Sequence, residues 1–319
     1  MDKKISKNID KEIEEMEKAP NLLSKKQSRF VCMIPSFKPD DYWENMDQGF
    51  DLAQHDFAHY NIMLDKMYFN QYDVNSFLEV SEKVLKSKPD AVIISPIFKE
   101  ETIDFINKLS SQKIPFSFVD SMIPDTDFTT YYGQNSYQSG YISAKLLVSL
   151  MPENAQIMVI RTKRKGSEAN QTITRYDGFM QYIVDNKLDE YVEYIDVEFM
   201  ENDEDYNFRL LDKTFAENTN IKAAITFNSK VFRLAIHLAS FNRKGIRIIG
   251  YDLLPLNLRY LKKGVIYCLI AQRPDRQAYL TVRDMSRELV LKRKAKKINY
   301  MPIDILFKEN IEDYNTFNS

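Results

Sequence analysis

The sequence predicts an α/β fold made of two similar doubly wound lobes, each built on a parallel sheet. Short apolar runs alternate with longer amphipathic stretches along the 319 residues, which is the rhythm of parallel strands joined by helical crossovers. The same rhythm repeats in the second half of the chain, which indicates two lobes of one kind. With 44% hydrophobic and 28% charged residues, the chain can bury large cores and is too apolar to be disordered.

The first series of elements ends near residue 133. Its apolar runs are short and bounded by polar or proline-containing segments, as buried strands are, and the stretches after them have helical periodicity. We expect strands at 29–35, 61–69, 91–95 and 115–120, and helices at 42–58, 74–85 and 100–109.

The second series repeats this alternation and ends in a long helix and a final strand. We expect strands at 156–161, 191–199, 223–227, 246–251, 265–271 and 298–307, and helices at 139–150, 174–185, 206–216, 231–239, 256–262 and 274–292.

Residues 1–28 differ from the rest of the chain. Three apolar side chains, the last of them Met16, fall at helical spacing in a charged segment that ends before Pro20. We expect one short amphipathic helix followed by a linker that contains Lys25 and Lys26. The segment is either a solvated terminus or a contact for a partner or nucleic acid.

Charge and composition exclude several classes of function. The 44 Lys and Arg residues are balanced by 46 Asp and Glu residues, so the chain alone lacks the basic excess of an autonomous DNA-binding protein. Only 8 glycines occur, too few for an extensive glycine-rich phosphate cradle. Cys32 and Cys268 lie within apolar runs and are expected to be buried thiols. The sequence contains neither a secretory signal nor an apolar run of ~20 residues, so we expect a cytoplasmic protein with no membrane partner.

Short motifs for metal or covalent chemistry are incomplete. His55 and His59 are four residues apart with Asp56 between them, but the zinc helix that this spacing resembles needs a glutamate as its general base. There is no G-x-S-x-G elbow, and residues 165–167 (KGS) reverse the order of Lys and Gly in a phosphate loop. We therefore predict no metal, no cofactor and no catalytic residue.

A basic stretch follows the strand predicted at 156–161. It contains Arg161, Lys163, Arg164 and Lys165. Loops after strands line the ligand crevice of open α/β sheets, so this stretch either attracts an anionic ligand or is an exposed charged loop.

Polar and aromatic residues gather where the predicted strands end and the next helices begin. Aromatic faces pack on the C–H surfaces of a sugar, while carboxylate, amide and guanidinium groups satisfy its hydroxyls. Taken singly, the aromatics could be core residues and the aspartates helix caps. Taken together they predict a sugar-type binding site, which comprises Ser36, Phe37, Tyr42, Trp43, Ser95, Asp120, Arg175, Asn228, Asp252 and Gln272.

Eight stretches carry a family resemblance, in the same order along the chain. They are MIPSFKPDDY (33–42), KPDAVIISP (88–96), IPFSFVD (114–120), GQNSYQSG (133–140), RYDGF (175–179), FNS (227–229), IGYD (249–252) and AQRP (271–274). From residue 29 onward the chain resembles the effector-binding core of the LacI/GalR family of transcription regulators. That core shares its fold with type I periplasmic sugar-binding proteins.

The resemblance implies two lobes with a ligand cleft between them and three crossovers, near Gln134, Gln272 and Lys294. The N-terminal lobe would comprise 29–133 and 273–294, and the C-terminal lobe 134–272 and 295–319. Five of the predicted site residues match the family's usual ligand-contacting positions, and Tyr42 with Trp43 match its stacking aromatics. The five are Asp120, Arg175, Asn228, Asp252 and Gln272.

The resemblance also implies a function. A small effector, which could be a sugar, a sugar acid or a sugar phosphate, would rearrange the lobes of a cytoplasmic homodimer and so change its DNA binding. Residues 9–23 resemble the last helix of the family's DNA-binding headpiece running into the hinge, although the helix-turn-helix itself is missing. We expect a truncated protein, with residues 1–28 as the remnant of headpiece and hinge. Operator DNA would be a partner only if the headpiece were present.

Two other functions use the same residues. A solute-binding protein of a sugar transporter or sensor would bind its ligand at the same site. A glycosidase would use Asp120 and Asp252 as an acid and nucleophile pair, which requires carboxylates about 5–9.5 Å apart. We expect a binding protein and not an enzyme.

Overall fold

The computed structural model describes residues 27–36, 41–149, 151–152, 155–163, 170–188, 190–201 and 203–318. The chain forms two compact units. Lobe 1 contains the chain up to Gly133 together with Arg273–Met301, and lobe 2 contains Gln134–Gln272 and Pro302–Asn315. The predicted headpiece helix and the linker with Lys25 and Lys26 lie outside the described residues. In the part of the chain that is described, no helix is both long and apolar enough to cross a membrane.

Lobe 1 is built on a six-stranded sheet with strand order β11-β5-β4-β3-β1-β2, in which β1 to β5 pair in parallel. Its strands are β1 (Ser28–Pro35), β2 (Ile62–Phe69), β3 (Ala91–Ile94), β4 (Phe116–Asp120), β5 (Tyr131–Gln134) and β11 (Ile298–Met301). Its helices are α1 (Asp41–Asp56), a short 3-10 helix (Ala58–Tyr60), α2 (Val74–Ser87), α3 (Lys99–Ser111) and α9 (Pro274–Leu291).

Lobe 2 repeats this plan with strand order β12-β10-β9-β8-β6-β7. Its strands are β6 (Gln156–Lys163), β7 (Glu193–Met200), β8 (Ile221–Thr226), β9 (Arg247–Tyr251), β10 (Ile266–Ala271) and the antiparallel β12 (Asp304–Leu306). Its helices are α4 (Ser136–Val148), α5 (Asn170–Asp185), α6 (Glu204–Glu217), α7 (Phe232–Ser240), α8 (Pro255–Lys262) and α10 (Ile311–Asn318). Two parallel doubly wound sheets of the same strand order confirm the predicted fold class.

The strands read as continuous apolar runs because each sheet is buried on both faces. Successive side chains of β6 point to opposite faces: Ile157 and Val159 pack in one core of lobe 2, and Met158 and Ile160 pack in the other. Cys268 lies in β10, and its burial raises the pKa of the thiol to about 12. Both cysteines are buried and free, as predicted.

Glycines allow two helices of lobe 2 to touch through their backbones. A Cβ on Gly140 of α4 would lie 1.9 Å from the carbonyl oxygen of Arg175 in α5, and a Cβ on Gly178 of α5 would lie 1.9 Å from that of Tyr137 in α4. The scarce glycines are therefore used for close helix packing, and the position of α5 depends on them.

The largest differences between the structure and the sequence prediction concern strand β5, helices α4, α5 and α10, and the last predicted strand. Helix α4 begins at Ser136, before the predicted start at residue 139. Strand β5 and helix α10 were not predicted. Helix α5 begins four residues earlier than predicted, because its first buried side chains, Thr172 and Arg175, are polar and hide the apolar stripe. The single strand predicted at 298–307 is two strands, one in each sheet, separated by Pro302, which has no N–H to donate to a ladder. Because β11 lies in the first sheet, the chain leaves lobe 1 after Met301, whereas the sequence places this crossover near Lys294.

Candidate functional site

In lobe 1 the predicted site residues lie at the carboxyl edge of the sheet. Tyr42 and Trp43, in the first turn of α1, are 7% and 5% exposed, and their rings meet edge to face with centroids 5.0 Å apart. The Tyr42 hydroxyl donates a hydrogen bond to Oδ1 of Asp120, the last residue of β4. This bond ties the aromatic pair to a carboxylate that is itself buried.

The backbone of Asp120 has the left-handed conformation, with φ of 73°. A residue with a Cβ adopts this conformation at a cost of about 1–2 kcal/mol, so the surroundings must hold it there. The carbonyl oxygen of Asp120 accepts a hydrogen bond from the Tyr131 hydroxyl at 3.2 Å, and any Cβ on Gly133 would lie 2.6 Å from that oxygen. Tyr131 and Gly133 both belong to β5. This strand therefore holds the backbone of Asp120, and with it the carboxylate, in place.

The two predicted serines of lobe 1 also lie at this edge. Ser36 directly follows β1 and donates its backbone N–H to the Phe69 carbonyl at the end of β2, at 2.8 Å. Ser95 directly follows β3, is fully buried, and directs its hydroxyl to the sulfur of Met46 at 3.8 Å. Phe37 lies outside the described residues.

In lobe 2 the guanidinium of Arg175 is the central group. Arg175 is 2% exposed, lies in the second turn of α5, and does not open the helix as the sequence suggested. Its Nη1 donates to the carbonyl of Phe227 just beyond β8, at 2.8 Å. The guanidinium carbon lies 3.9 Å from the ring centroid of Tyr251, a cation–π contact at the end of β9.

The other two nitrogens of this guanidinium, Nε and Nη2, are buried and have no hydrogen-bond partner among the described residues. Leaving a buried donor without a partner costs about 1–3 kcal/mol, and more when the group is charged. Tyr251 meets the guanidinium through its ring face, and its hydroxyl lies 3.3 Å from Ser139 Oγ. Lobe 2 thus holds a cation that still needs oxygen acceptors.

Asp252 occupies the position in lobe 2 that Asp120 occupies in lobe 1. It directly follows β9, the fourth strand of its series, is 6% exposed, and also has a left-handed backbone, with φ of 68°. Its Oδ1 accepts a hydrogen bond from Nε2 of Gln272 at 2.7 Å. The aspartates at equivalent strand ends of the two lobes thus share one backbone conformation.

Asn228 lies two residues beyond β8 and is half-buried. Its Nδ2 donates to Thr162 Oγ1 at 2.8 Å, and its Oδ1 accepts the backbone N–H of Lys230 at 2.9 Å. These bonds fix the loop that carries the Phe227 carbonyl, so Asn228 supports the position of Arg175.

The basic stretch is only partly described. Arg161 lies 3.7 Å from Asp196, and Lys163 pairs with Glu198, both carboxylates of the neighbouring strand β7. Arg164 and Lys165 lie outside the described residues. Because the two described side chains pair with acids on the sheet, they carry no argument for an anionic ligand.

Sequence reasoning placed its candidates at the carboxyl edge of each sheet, where the structure has the described ones, but it missed residues that contact them. Tyr251 lies within an apolar strand and looks like a core residue, and Tyr131 begins β5, a strand that was not predicted. In the structure the Tyr131 hydroxyl donates to the Asp120 carbonyl, and the Tyr251 ring lies under the Arg175 guanidinium. Gln134 donates to the carbonyls of Ala271 and Pro302 at 3.0 and 3.2 Å. Gln134 lies beside two of the predicted crossovers, and this position is the observation by which it could have been identified.

No metal centre is formed by the described part of the chain, in which no three His, Cys, Asp or Glu side chains are grouped suitably. His55 and Asp56, which belong to the incomplete zinc motif, contact each other, with Nδ1 and Oδ1 3.0 Å apart.

Two doubly wound lobes with polar side chains at their strand ends define the class of two-lobed α/β binding proteins. The chain belongs to the periplasmic binding protein domain family, whose sequence profile matches residues 31–293. No curated protein matches the chain significantly.

Solved structures show the same fold. A protein of Bacteroides fragilis that is described as a LacI transcriptional regulator is 33% identical, with a TM-score of 0.85 over 91% of this chain and 100% of that one. A glucose-galactose binding protein from Geobacillus stearothermophilus is 20% identical, with a TM-score of 0.78 over 90% of this chain and 99% of that one. A transporter solute-binding protein from Agrobacterium vitis, bound to α-D-tagatopyranose, is 18% identical, with a TM-score of 0.78 over 91% and 98%. The names of these similar proteins describe sugar or solute binding and transcriptional regulation.

Proposed function

We propose that this chain is the ligand-sensing domain of a LacI-type transcription regulator, and that it binds a sugar or sugar-like effector. The buried Arg175 carries the proposal, because its Nε and Nη2 need oxygen acceptors that the described residues do not provide. Ligand hydroxyls or a ligand carboxylate would satisfy both.

The aspartates complement this cation. A sugar hydroxyl is both a donor and an acceptor, so it can donate a hydrogen bond to a carboxylate such as Asp120 or Asp252 and accept one from Arg175. The rings of Tyr42 and Trp43 add apolar surface for the C–H face of a pyranose. The polar groups of each lobe therefore suit the hydroxyls of a polyhydroxylated ligand.

The regulator role is supported by the similarity to the Bacteroides fragilis protein at 33% identity over its full length, against 20% and 18% for the two sugar-binding proteins. We expect such a regulator to be a cytoplasmic homodimer. The effector can shift the equilibrium between its two conformational states only by the difference between its affinities for them, which is typically ~1–3 kcal/mol. A solute-binding protein of a sugar transporter is the second candidate, because many proteins of that kind share the fold.

A thermal-shift screen of monosaccharides, sugar acids, sugar phosphates and purines tests the ligand class. A sugar present at 100 times its Kd is expected to raise the free energy of unfolding by about 2.7 kcal/mol, which appears as a clear rise in Tm. Stabilisation by a purine alone would contradict the sugar proposal, and so would the absence of any stabilising compound in all four classes.

The contribution of lobe 1 is tested by Tyr42→Phe, which removes the hydroxyl bonded to Asp120 and keeps the ring. We expect about tenfold weaker binding of the sugar found in the screen, since one hydrogen bond to a charged group is worth about 1.4 kcal/mol or more. Isothermal titration calorimetry measures the affinity.

Tyr279→Phe is the matched control. It removes a hydroxyl that donates to Asp56 at 3.0 Å in the same lobe, at the far end of α1 from Tyr42. We expect a similar loss of stability and unchanged sugar affinity. If both variants bound the sugar as the unchanged protein does, Tyr42 would not belong to the site.

A further inference from the structure

A strongly basic run joins α9 to β11 in lobe 1. Residues 292–297 read KRKAKK, and every basic side chain among them is exposed. No described carboxylate lies within ion-pair distance of Lys292, Lys294, Lys296 or Lys297. Although the net charge of the chain is only -2, this part of its surface carries a local positive excess.

Backbone contacts place the run at the edge of the sheet where the parallel strands begin. The Lys297 carbonyl accepts the N–H of Tyr131, the first residue of β5, at 2.8 Å, and the Lys296 carbonyl accepts the Thr130 hydroxyl at 2.9 Å. Since β3, β4 and β5 are parallel, the residues that precede them share this edge. It is the opposite edge from the one that carries Asp120.

Two more lysines precede strands on this edge. Lys88 comes shortly before β3 and Lys113 shortly before β4, and both are exposed. Together with Lys86 they line a surface cavity of about 650 Å³. We call Lys88, Lys113 and the run 292–297 the basic rim.

Few carboxylates oppose the basic rim. Asp90 accepts the backbone N–H of Arg29 at 2.8 Å, and Glu288 accepts that of Ala295 at 2.8 Å, so each of these carboxylates is held against the backbone. Asp127 is exposed on the loop before β5. The residue after Asp127 is Phe128, and the amine nitrogen of Lys297 lies 4.9 Å from the centroid of its ring. This contact positions the amine at the surface. The cations outnumber the acids along the whole edge.

We propose that the basic rim binds the phosphate backbone of duplex DNA. A row of exposed lysines held on the rigid edge of a sheet offers cations to a polyanion without base-specific contacts, which is the phosphate-positioning part of DNA recognition. Strand β1 begins at Ser28 on the same edge. The choice of DNA as the polyanion rests on the proposed regulator function.

The test measures binding of the full chain to a fluorescent duplex of random sequence by anisotropy, across a range of salt concentrations. We expect salt-dependent binding that Lys294→Gln, Lys296→Gln and Lys297→Gln together weaken about tenfold or more at ~0.05 M salt. Each lost phosphate contact lowers the slope of log K against log salt by about 0.9, so the slope should fall by about two to three.

The matched control removes three exposed lysines from lobe 2, as Lys213→Gln, Lys244→Gln and Lys263→Gln, and so changes the net charge equally. It is expected to bind the duplex as the unchanged protein does. The inference is overturned if the full chain shows no salt-dependent duplex binding, or if the control weakens binding as much as the rim variant. A thermal shift with the sugar found in the screen reports on the other edge of the sheet, so failure of this inference and failure of the ligand proposal are distinguishable.

Discussion

Replacing Arg175 with Met is expected to abolish the stabilisation that a bound sugar gives to the protein. The substitution removes the two buried donors, Nε and Nη2, that lack partners among the described residues. Hydrogen bonds to a charged group are worth about 1.5–3 kcal/mol each, so the loss of two should lower sugar affinity by at least about 150-fold.

The same substitution should cost little stability without ligand. Met fills similar volume in an apolar setting, and it removes a buried cation whose desolvation is only partly compensated by the Phe227 carbonyl and the Tyr251 ring. Urea unfolding of the protein and the variant without ligand measures the difference between their free energies of unfolding. Lost binding with nearly unchanged folding would mark Arg175 as a residue kept for function at the expense of stability.

Arg247→Met is the control for this prediction. Arg247 also lies over a tyrosine, with its guanidinium carbon 5.0 Å from the Tyr267 ring centroid, but it is the first residue of β9 and thus lies at the opposite edge of the sheet. Its replacement should leave sugar affinity unchanged. Equal affinity for the Arg175→Met variant and the unchanged protein would overturn the assignment of the site.

The fold was predictable from sequence because its strands are buried on both faces and therefore appear as apolar runs between amphipathic helices. Where the buried face of a helix is polar, the sequence lacks the apolar pattern that would predict the helix. Thr172 and Arg175 occupy the buried face of α5, and Ser139 and Ser143 occupy that of α4, so both helices begin earlier than their apolar patterns indicate. Helix α5, whose start was predicted wrongly for this reason, is the helix that carries Arg175, the central ligand-binding candidate.

The position of the candidates at one edge of each sheet was also predictable, since parallel topology brings strand ends to one edge. The contacts among the candidates were not. The left-handed backbones of Asp120 and Asp252 are visible only in the structure, although aspartate adopts that conformation more often than most residues do. That Arg175 lacks partners for two nitrogens is likewise a property of three-dimensional packing. Sequence alone therefore named most candidates without ranking them.

Gly140→Ala is expected to destabilise lobe 2 by about 1–3 kcal/mol or more, as overpacking does. The added Cβ would lie 1.9 Å from the carbonyl oxygen and 2.7 Å from the carbonyl carbon of Arg175, and backbone atoms cannot rotate away. The sign of the change in the free energy of unfolding is informative, since a Gly→Ala change at a helix position without close neighbours stabilises by about 0.5–1 kcal/mol. Urea unfolding of the protein and the variant measures the difference.

Two further variants sharpen this prediction. Gly178→Ala should have a similar effect, and the double variant should cost less than the sum, because separating α4 from α5 once relieves both clashes. Lys145→Ala, at an exposed position of α4, should change stability by no more than about 0.5 kcal/mol. Since the displaced carbonyl belongs to Arg175 itself, Gly140→Ala should also weaken sugar binding, whereas a stabilising or neutral effect would show that the two helices are not in backbone contact.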